Sequence, residues 1–578
     1  MSDPVQTVPV SRSRIPLMQR VTQLQGREDQ VFLVLALVIG ALTGLAVVAF
    51  ILLTERTGMR LYPPGAASWR RVAFPLGGSL VIGYLLFRYF PYARGSGVPQ
   101  TKAALYARGG RITLRTVLGK FFCTSATLAS GIPLGREGPS VQVGAGIASV
   151  LGRYLGLSTE KVKALIPVGA AAAIAAAFNT PLAAVVFALE EIVGDLHAPV
   201  IGSVVLASAT SWITLRLLLG NHPLFQVPQY QLVHPAEFAI YAVLGVLGGL
   251  MSAAFSRLLL GMREWFLKLP QKTVWLQPAA GGLVVGLLGL LVPQVLGVGY
   301  GYVGDALNGK MAFRLMLVLV ILKLLAVTTS YASGNAGGIF GPALFLGAML
   351  GGCVGTLAHW LFPTYTATAG AYALVGMGTA FAGIVRAPMT SVLMIFETTQ
   401  DYAVVVPLMI SNLISLFIAS RLQRTPIYDA LAIQDGIHLP SAESRYHPHH
   451  QIIRVMRQSA ESLPARITIR EAIERVRSSA QQSWLVTDGP QVMGVINLAT
   501  LEQGVQESPE KQLVNCVVTI NFPHVHADQG LDQALERMGA NRIQLLPVVS
   551  RADVHQLLGV VTLKDVLQAY GVGPSDSA

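Results

Sequence analysis

The stretch GREGPSVQ, residues 135–142, places a carboxylate and a guanidinium inside a long apolar region of the chain. Proline fits the first turn of a helix, where its missing N–H is not needed, and glycine lets a backbone come close to a ligand. A helix N-terminus in a low-dielectric setting offers free N–H groups and the positive end of the helix dipole to an anion. Two interpretations follow: a gate in an anion pathway through a membrane, or a broken helix in which Glu137 pairs with Arg136.

The composition indicates that most of the chain lies in lipid. Of its 578 residues, 52% are hydrophobic and 12% are charged, whereas soluble domains carry about 25% charged residues. The net charge of +12 fits basic loops against anionic lipid better than nucleic acid, because aromatic–basic patches are absent. Cys123, Cys353 and Cys516 are isolated and offer no disulfide framework or metal pair. With no nucleophile–base pair or metal-ligand cluster either, we expect neither an enzyme nor a metal site.

The apolar segments predict a multi-pass membrane protein. Residues 1–30 are polar and basic, and an apolar run at 31–53 follows that is long enough to cross a bilayer and too long for a signal peptide. Basic residues in the tail predict a cytoplasmic N-terminus, and the basic residues between 88 and 120 predict that this loop region is cytoplasmic as well. Several later segments are short and interrupted by Gly or Pro, which is tolerated where the backbone lines a cavity. These segments lie near 73–90, 121–133, 164–190, 198–219, 236–260, 276–297, 312–330, 337–361, 370–384 and 389–420.

An internal repeat relates two parts of this apolar region. GREGP at 135–139 matches GIFGP at 338–342, and another glycine stands nine residues after each first glycine. NTP at 179–181 matches RAP at 386–388, and a glutamate stands nine residues after each proline. Repeated halves with broken helices in corresponding positions are how many transporters build a site near the bilayer midplane.

The repeat separates two adjacent carboxylates. Glu190 has a counterpart in Glu397, so we expect the two to share a structural role. Glu191 corresponds to Thr398 and has no acidic counterpart. An ionisable residue without a structural twin at the end of a membrane segment is a functional candidate.

Three Gly/Pro motifs occur in order: GSGVP at 95–99, GREGP at 135–139 and GIFGP at 338–342, with a lone Tyr428 after the last apolar segment. This set resembles the CLC family of chloride channels and chloride/proton antiporters over about residues 31–430. Within the family it is similar to the bacterial ClcB-like branch. The resemblance implies an all-α polytopic domain of two inverted repeats with broken helices, placed at 31–428, in a homodimer with one pore per subunit. It also implies the bacterial inner membrane, with both termini cytoplasmic.

The resemblance also implies roles for individual residues. Ser96 and Tyr428 would donate hydroxyl groups to a central chloride, and Ile339 and Phe340 would donate backbone N–H groups. Glu137 would be the gating carboxylate, which competes with chloride and carries protons on the outer side. Glu191 would transfer protons on the inner side. The remaining motif positions are Gly95, Gly97, Pro99, Gly135, Arg136, Gly138, Pro139, Gly338, Gly341 and Pro342.

The chemistry is consistent with these roles. Neutral donors suit chloride, because a full Lys or Arg ligand would bind it too tightly to allow exit. An ionised Glu137 excludes the anion and a protonated one admits it, so we expect gating to depend on pH. Ser96 could instead be a helix cap and Tyr428 an interfacial tyrosine. We expect Lys120 at the membrane edge rather than paired near the pore.

The residues after the first motif depart from the family. Gln100-Thr101-Lys102 stand where many relatives place an acidic residue, which leaves the electrostatics of the inner vestibule open. In the family that this chain resembles, a serine in the first motif goes with chloride preference and a proline with nitrate, so the resemblance implies that Ser96 favours chloride.

The residues after the last apolar segment are predicted to form a soluble region attached to the membrane domain. Residues 429–450 resemble a linker that ends in a histidine-rich stretch, where a solvated linker is favoured over a metal site. Residues 451–578 form two similar units and resemble a tandem pair of CBS modules in a small α/β domain. Thr562 and Asp565 fit the ribose-and-phosphate motif of an adenine nucleotide site, whereas the first unit carries Asn497 and Thr500 at those places. A structural role in supporting a dimer is the alternative.

The sequence therefore predicts transmembrane chloride transport, in exchange for protons, with no cofactor required beyond bound chloride. Glu191 favours an exchanger, and a passive voltage-gated chloride channel is the alternative. A cation transporter regulated by CBS modules would show intramembrane Asp/Glu clusters instead of glycine-rich motifs. The expected partners are chloride, protons, the bilayer and a second copy of the chain, without nucleic acid.

Overall fold

The computed structural model describes residues 28–196, 200–220, 225, 227, 230, 232–437, 439, 451–458, 461–477, 479, 481–517 and 522–570. Residues 1–27 of the predicted tail and the histidine-rich stretch at 446–450 lie outside the described residues. The chain divides into two compact units. The first comprises residues up to Gly97 together with 111–419, and the second comprises 98–110 together with the residues from Ser420 onward.

Helices make up most of the first unit and also occur, beside strands, in the second. In chain order they are α1 (Glu28–Leu61), α2 (Arg70–Arg88), α3 (Val98–Ala107), α4 (Leu114–Ala129), α5 (Glu137–Tyr154), α6 (Thr159–Phe178), α7 (Pro181–Phe187), α8 (Ile201–Leu219), α9 (Glu237–Leu267), α10 (Gln277–Leu291), α11 (Tyr300–Leu307), α12 (Phe313–Ala332), α13 (Phe340–Leu361), α14 (Ala369–Val385), α15 (Pro388–Thr399), α16 (Val405–Leu422), α17 (Ile427–Gln434), α18 (Ile469–Val476), α19 (Leu498–Glu507), α20 (Leu531–Asn541) and α21 (Leu563–Ala569). A π-helix, Ala188–Val193, continues α7. Within the described residues, eight helices are long and apolar enough to cross a membrane.

Two of the predicted apolar segments are each split into two helices. The segment predicted at 164–190 breaks after α6, and the segment predicted at 389–420 breaks between α15 and α16. Asn179, at the end of α6, and Arg386, at the end of α14, both adopt the left-handed conformation, with φ of 61° and 67°. Pro181 and Pro388 then open α7 and α15 at their first positions, where a missing N–H is harmless. The repeat therefore extends to the backbone conformation at the break between α6 and α7 and at the break between α14 and α15.

The two halves of the first unit meet at the matched Gly/Pro motifs. Gly135 and Gly338 form an antiparallel bridge, in which each N–H donates to the other carbonyl at an N···O distance of 2.7 Å. The same glycine spacing lets neighbouring helices approach closely in each half. Gly144 of α5 contacts the backbone at Gly169 of α6, and Gly347 of α13 contacts the backbone of α14. The inverted repeat of broken helices is confirmed.

The second unit contains a small α/β region. Strands β1 (Ser462–Pro464), β2 (Ser483–Asp488) and β3 (Gln491–Asn497) form one sheet, in which β1 runs parallel and β3 antiparallel to β2. Strands β4 (Leu545–Val549) and β5 (Leu557–Thr562) form an antiparallel pair. One apolar core surrounds Trp484 and another surrounds Leu546. The predicted α/β tail with two similar modules is confirmed.

Candidate ion-transport site

Glu137 is fully buried at the first residue of α5. One carboxylate oxygen, Oε1, accepts a hydrogen bond from the Tyr300 hydroxyl, and the other, Oε2, accepts one from the backbone N–H of Gly341 at 3.3 Å. Gly341 lies in the first turn of α13, where backbone N–H groups have no partner within the helix. The carboxylate therefore lies at two helix N-termini, the position where an anion is most stabilised.

Arg136 does not pair with Glu137, and the interpretation that it does is wrong. The Arg136 guanidinium donates to Glu55 Oε1 of α1 at 3.1 Å and lies 5.5 Å from the centroid of the Tyr300 ring. The sequence indicated neither the contact of Tyr300 with Glu137 nor the contact of Glu55 with Arg136. No motif marks either residue, and the only signal is that each carries a polar group within or beside an apolar segment.

The first motif packs backbone against backbone on the start of α5. A Cβ at Gly138 would lie 2.6 Å from the carbonyl oxygen and 3.3 Å from the hydroxyl oxygen of Ser96. Gly97 has φ of +105°, and a Cβ there would meet the Gly138 carbonyl. Ser96 is fully buried, so the motif places its hydroxyl beside the N-terminus of α5. Gly95 has φ of +84°, and Pro99 stands in the first turn of α3.

The third motif places Ile339 and Phe340 at the N-terminus of α13. Ile339 is the N-cap residue and Phe340 begins the helix, and both are fully buried. The Phe340 ring packs between the rings of Phe178 and Phe381, at centroid distances of 5.2 and 4.4 Å. The aromatic packing fixes the backbone of the first turn, whose N–H groups point along the helix axis towards its N-terminal end.

Tyr428 is buried near the start of α17 in the second unit. The next residue, Asp429, accepts an ion pair from Lys102 of α3, with an Nζ···Oδ1 distance of 2.7 Å. Lys102 is almost fully buried. Lys102 belongs to the stretch after the first motif that departs from the family. Its positive charge is balanced by the negative charge of Asp429.

The prediction that Lys120 lies at the membrane edge is wrong. Its side chain is fully buried, and its Nζ donates to the carbonyls of Ala93 at 3.0 Å and Gly95 at 2.5 Å. It holds the loop that leads into Ser96. Burying a lysine costs free energy unless its N–H donors are hydrogen-bonded. Here two backbone carbonyls of a turn accept hydrogen bonds from them.

Lys323 repeats this arrangement in the second half. It is fully buried on α12, and its Nζ donates to the carbonyls of Val295 at 2.9 Å and Gly297 at 2.6 Å. Lys120 and Lys323 stand at the same offset as Gly135 and Gly338. That offset was the signal that could have identified the pair from the sequence.

Glu190 and Glu397 have the shared structural role that the repeat predicts. The Glu397 carboxylate accepts from the backbone N–H groups of Leu182 at 2.8 Å and Ala183 at 2.7 Å, at the start of α7. The Glu190 carboxylate accepts from the N–H groups of Met389 at 3.2 Å and Thr390 at 2.8 Å, at the start of α15. Each half therefore caps the broken helix of the other.

Glu191 is buried in the π-helix Ala188–Val193. π-Helical turns often occur at functional sites, because the extra residue in the turn re-aims the neighbouring side chains. In the other half, Thr398 stands at this position, and its hydroxyl donates to the Met394 carbonyl of its own helix. The structural asymmetry that the sequence predicts at this position is present.

Thr562 and Asp565 lie together at the start of α21. The Thr562 hydroxyl and N–H donate to Asp565 Oδ2 at 2.7 and 3.0 Å, and the Arg457 Nε donates to Asp565 Oδ1 at 2.9 Å. In the first module, Asn497 caps the N–H of Thr500 in the same way. Both pairs therefore act as helix caps. Among the described residues, no group of three His, Cys, Asp or Glu side chains could hold a metal.

The chain is similar to known ion-transport proteins over most of its length. Residues 78–420 match the family of voltage gated chloride channels, and residues 514–571 match the CBS domain. The H(+)/Cl(-) exchange transporter ClcA of Salmonella arizonae is 34% identical over 442 residues, which cover 74% of this chain and 92% of that protein. ClcA of Vibrio campbellii is 33% identical over 370 residues, which cover 63% of this chain and 79% of that protein.

Solved structures agree with this similarity. The crystal structure of a slow cyanobacterial Cl-/H+ antiporter aligns with a TM-score of 0.65 and 28% identity, over 70% of this chain and 97% of that one. A eukaryotic CLC transporter aligns with a TM-score of 0.62 over 95% of this chain and 98% of that one, and at 19% identity it shows the fold alone. The ClcB-like branch stays a prediction, since both relatives named above are ClcA proteins.

Proposed function

The chain belongs to the voltage-gated chloride channel family, and from this premise we propose that it exchanges chloride for protons across a membrane, with Glu137 as its gate. The relatives at 33–34% identity are named exchange transporters, and the antiporter structure at 28% identity supports the same activity.

The observation that carries the proposal is the position of the Glu137 carboxylate. It is buried at the N-terminus of α5 and accepts from the first turn of α13. A chloride ion would be stabilised by these same helix ends. An ionised carboxylate therefore competes with chloride for the position, and protonation removes its charge and weakens its hold. One residue thus couples the binding of a proton to the admission of an anion.

We propose the remaining roles from the resemblance of the three Gly/Pro motifs and Tyr428 to the family. Ser96 and Tyr428 donate hydroxyl groups to chloride, and Ile339 and Phe340 donate backbone N–H groups. Glu191 carries protons between the inner solution and the pathway. The working unit is a homodimer in the bacterial inner membrane, with both termini in the cytoplasm.

Flux measurements in liposomes test the exchange. Purified protein is reconstituted, a chloride gradient is imposed, and the internal pH is followed. We expect chloride movement to drive protons against their gradient. Chloride flux without proton movement would instead identify a passive channel, and the absence of both would refute the proposal.

A variant pair tests the gate. Glu137→Ala should remove the pH dependence of chloride flux and abolish proton movement, because no titratable group then occupies the pathway. Glu264→Ala is the matched control, since Glu264 is an exposed carboxylate that pairs with Lys268. A pH dependence that persists in Glu137→Ala would refute the role of Glu137.

For the tail we propose an adenine nucleotide site at Thr562 and Asp565, with structural support of the dimer as the alternative. Arg457 already occupies one oxygen of the Asp565 carboxylate, so a bound ribose would have to displace it. Calorimetric titration with ATP should therefore show tighter binding in Arg457→Ala than in the wild type, and loss of binding in Asp565→Ala. No heat in any of the three would favour the structural role.

A further inference from the structure

We propose that Tyr300 is a latch for the gate: its hydroxyl holds the ionised Glu137 carboxylate in the anion pathway and so sets the pH at which the gate opens. This inference rests on the proposed role of Glu137. It assigns a specific function to a tyrosine that lies outside all three Gly/Pro motifs.

The geometry places Tyr300 directly on the carboxylate. Tyr300 is the first residue of α11, and its hydroxyl donates to Glu137 Oε1 while the Gly341 N–H donates to Oε2. The two oxygens are therefore held by two different elements. A Cβ at Gly341 would lie 3.0 Å from the Tyr300 hydroxyl oxygen and 3.3 Å from Glu137 Oε2. The glycine leaves the space in which the hydroxyl and the carboxylate meet.

Two residues contact the Tyr300 ring. Phe225 contacts it edge-on at a centroid distance of 5.7 Å. The Arg136 guanidinium lies 5.5 Å from the ring centroid and is itself held by Glu55. A cation over an aromatic face is attracted by the ring quadrupole. The hydroxyl is thus pre-positioned, so little entropy is lost when it binds the carboxylate.

The loop before Tyr300 is anchored as well. Lys323 binds the carbonyls of Val295 and Gly297, and the Gly297 N–H donates to the Gly131 carbonyl at 2.8 Å. Gly299 has φ of +87°, and a Cβ there would lie 2.7 Å from the Phe345 ring. An anchored loop cannot follow Glu137 when the carboxylate leaves the pathway. The hydrogen bond must therefore break on opening, and its strength opposes opening.

Few charged groups compete with this contact. In the described residues, the titratable and charged groups that face the Glu137–Tyr300 pair are Arg136 and, behind it, Glu55. The first turn of α13 presents the Gly341 N–H to the carboxylate. The Tyr300 hydroxyl is consequently the one side-chain donor seen on the Glu137 carboxylate in the described part of the chain.

The direction of the effect follows from which form the hydroxyl stabilises. The Tyr300 hydroxyl stabilises the ionised Glu137 carboxylate more than the protonated one, because a charge-assisted hydrogen bond is stronger than a neutral one. Removing the donor makes protonation easier, so acid activation should begin at a higher pH. Loss of one such bond corresponds to a shift of about one pH unit, or about tenfold in proton binding.

The test measures chloride flux from liposomes as a function of external pH. Tyr300→Phe should move the pH of half-maximal flux upward by about one unit. Tyr302→Phe is the matched control, because Tyr302 lies on the same helix, and it should leave the midpoint unchanged. Gly341→Ala breaks the latch from the opposite side, since its Cβ crowds the hydroxyl, and should shift the midpoint in the same direction.

The latch and the gate can fail separately. If Glu137→Ala removes the pH dependence while Tyr300→Phe and Gly341→Ala keep the wild-type midpoint, the latch is wrong and the gate stands. If Glu137→Ala keeps the pH dependence, the gate itself is wrong. Isothermal titration with chloride at neutral pH adds a second readout, in which Tyr300→Phe should bind chloride more tightly.

Discussion

The two halves of the membrane unit share their supports but differ in their carboxylates. Each half has a buried lysine that binds two loop carbonyls and a glutamate that caps the other half's broken helix. Where the first half carries Arg136-Glu137, the second carries Ile339-Phe340. The shared residues hydrogen-bond backbone groups that have no partner within the broken helices and loops. The residues that differ between the halves lie at the proposed ion pathway.

A physical reason favours a single gating carboxylate. A second glutamate at residue 340 would face the same convergence of helix ends as Glu137, and two ionised carboxylates at one site repel each other. Phe340 instead packs in a cluster of aromatic rings. The comparison between the halves thus separates residues that support the fold from residues that carry ions, and it can be tested pair by pair.

The largest expected effect lies at the pair Glu191 and Thr398. Glu191→Gln should lower proton movement at least about tenfold, since positioned acid–base groups commonly contribute that much or more to proton transfer. Chloride flux should persist, because the variant leaves the chloride donors in place. Thr398→Val is the matched control and should retain both fluxes. The measurement is parallel recording of chloride and internal pH in liposomes, and undiminished proton movement in Glu191→Gln would contradict the prediction.

The buried lysines should show the next largest effect, this time in both halves. Lys120→Met or Lys323→Met leaves two buried carbonyls without their donor, which we expect to cost about 2–4 kcal/mol each. Thermal unfolding in detergent, followed by size-exclusion chromatography, measures the loss. Lys163→Met is the control, because Lys163 is only partly buried and pairs with an exposed glutamate. A loss of stability in only one of the two lysine variants would contradict the prediction that both halves use the lysine in the same way.

A smaller and again symmetric effect is expected at the two capping glutamates. Glu190→Gln and Glu397→Gln keep one acceptor oxygen but lose the charge that a helix N-terminus stabilises, so each should cost about 1–2 kcal/mol. Unfolding midpoints of the two variants should agree, and proton coupling should survive in both. Loss of coupling in Glu190→Gln would show that this glutamate also belongs to the proton path and would weaken the comparison with Glu191.

Much of this comparison between the halves was predictable, because the matching residues recur at a nearly constant spacing in the sequence. The Gly/Pro motifs and the correspondence of Glu190 with Glu397 follow from spacing in the sequence, whereas the helix break before Pro181 falls inside the single segment predicted at 164–190. The antiparallel bridge between Gly135 and Gly338 joins the two copies of the repeated motif, and only the structure shows it.

The missed contacts depend on long-range packing. Tyr300 is far from Glu137 in the chain, and nothing beside it in the sequence indicates that its hydroxyl meets a carboxylate. Lys120 was misplaced because a lysine near the end of an apolar segment is usually at the interface. Only the tertiary arrangement shows that a turn with two free carbonyls lies within reach of its ammonium group.

The smallest expected effect extends the comparison to the modules of the tail. Thr562 and Asn497 cap corresponding helices, α21 and α19, and each accepts from the N–H three residues later. Thr562→Ala and Asn497→Ala should each cost about 0.5–1 kcal/mol, the usual contribution of an N-cap. Because Thr562 also donates to Asp565, which Arg457 binds, its variant should show the larger loss. Equal losses in thermal unfolding of the full chain would mean that the Arg457–Asp565 contact adds nothing to the cap, and the two modules would then be equivalent in stability.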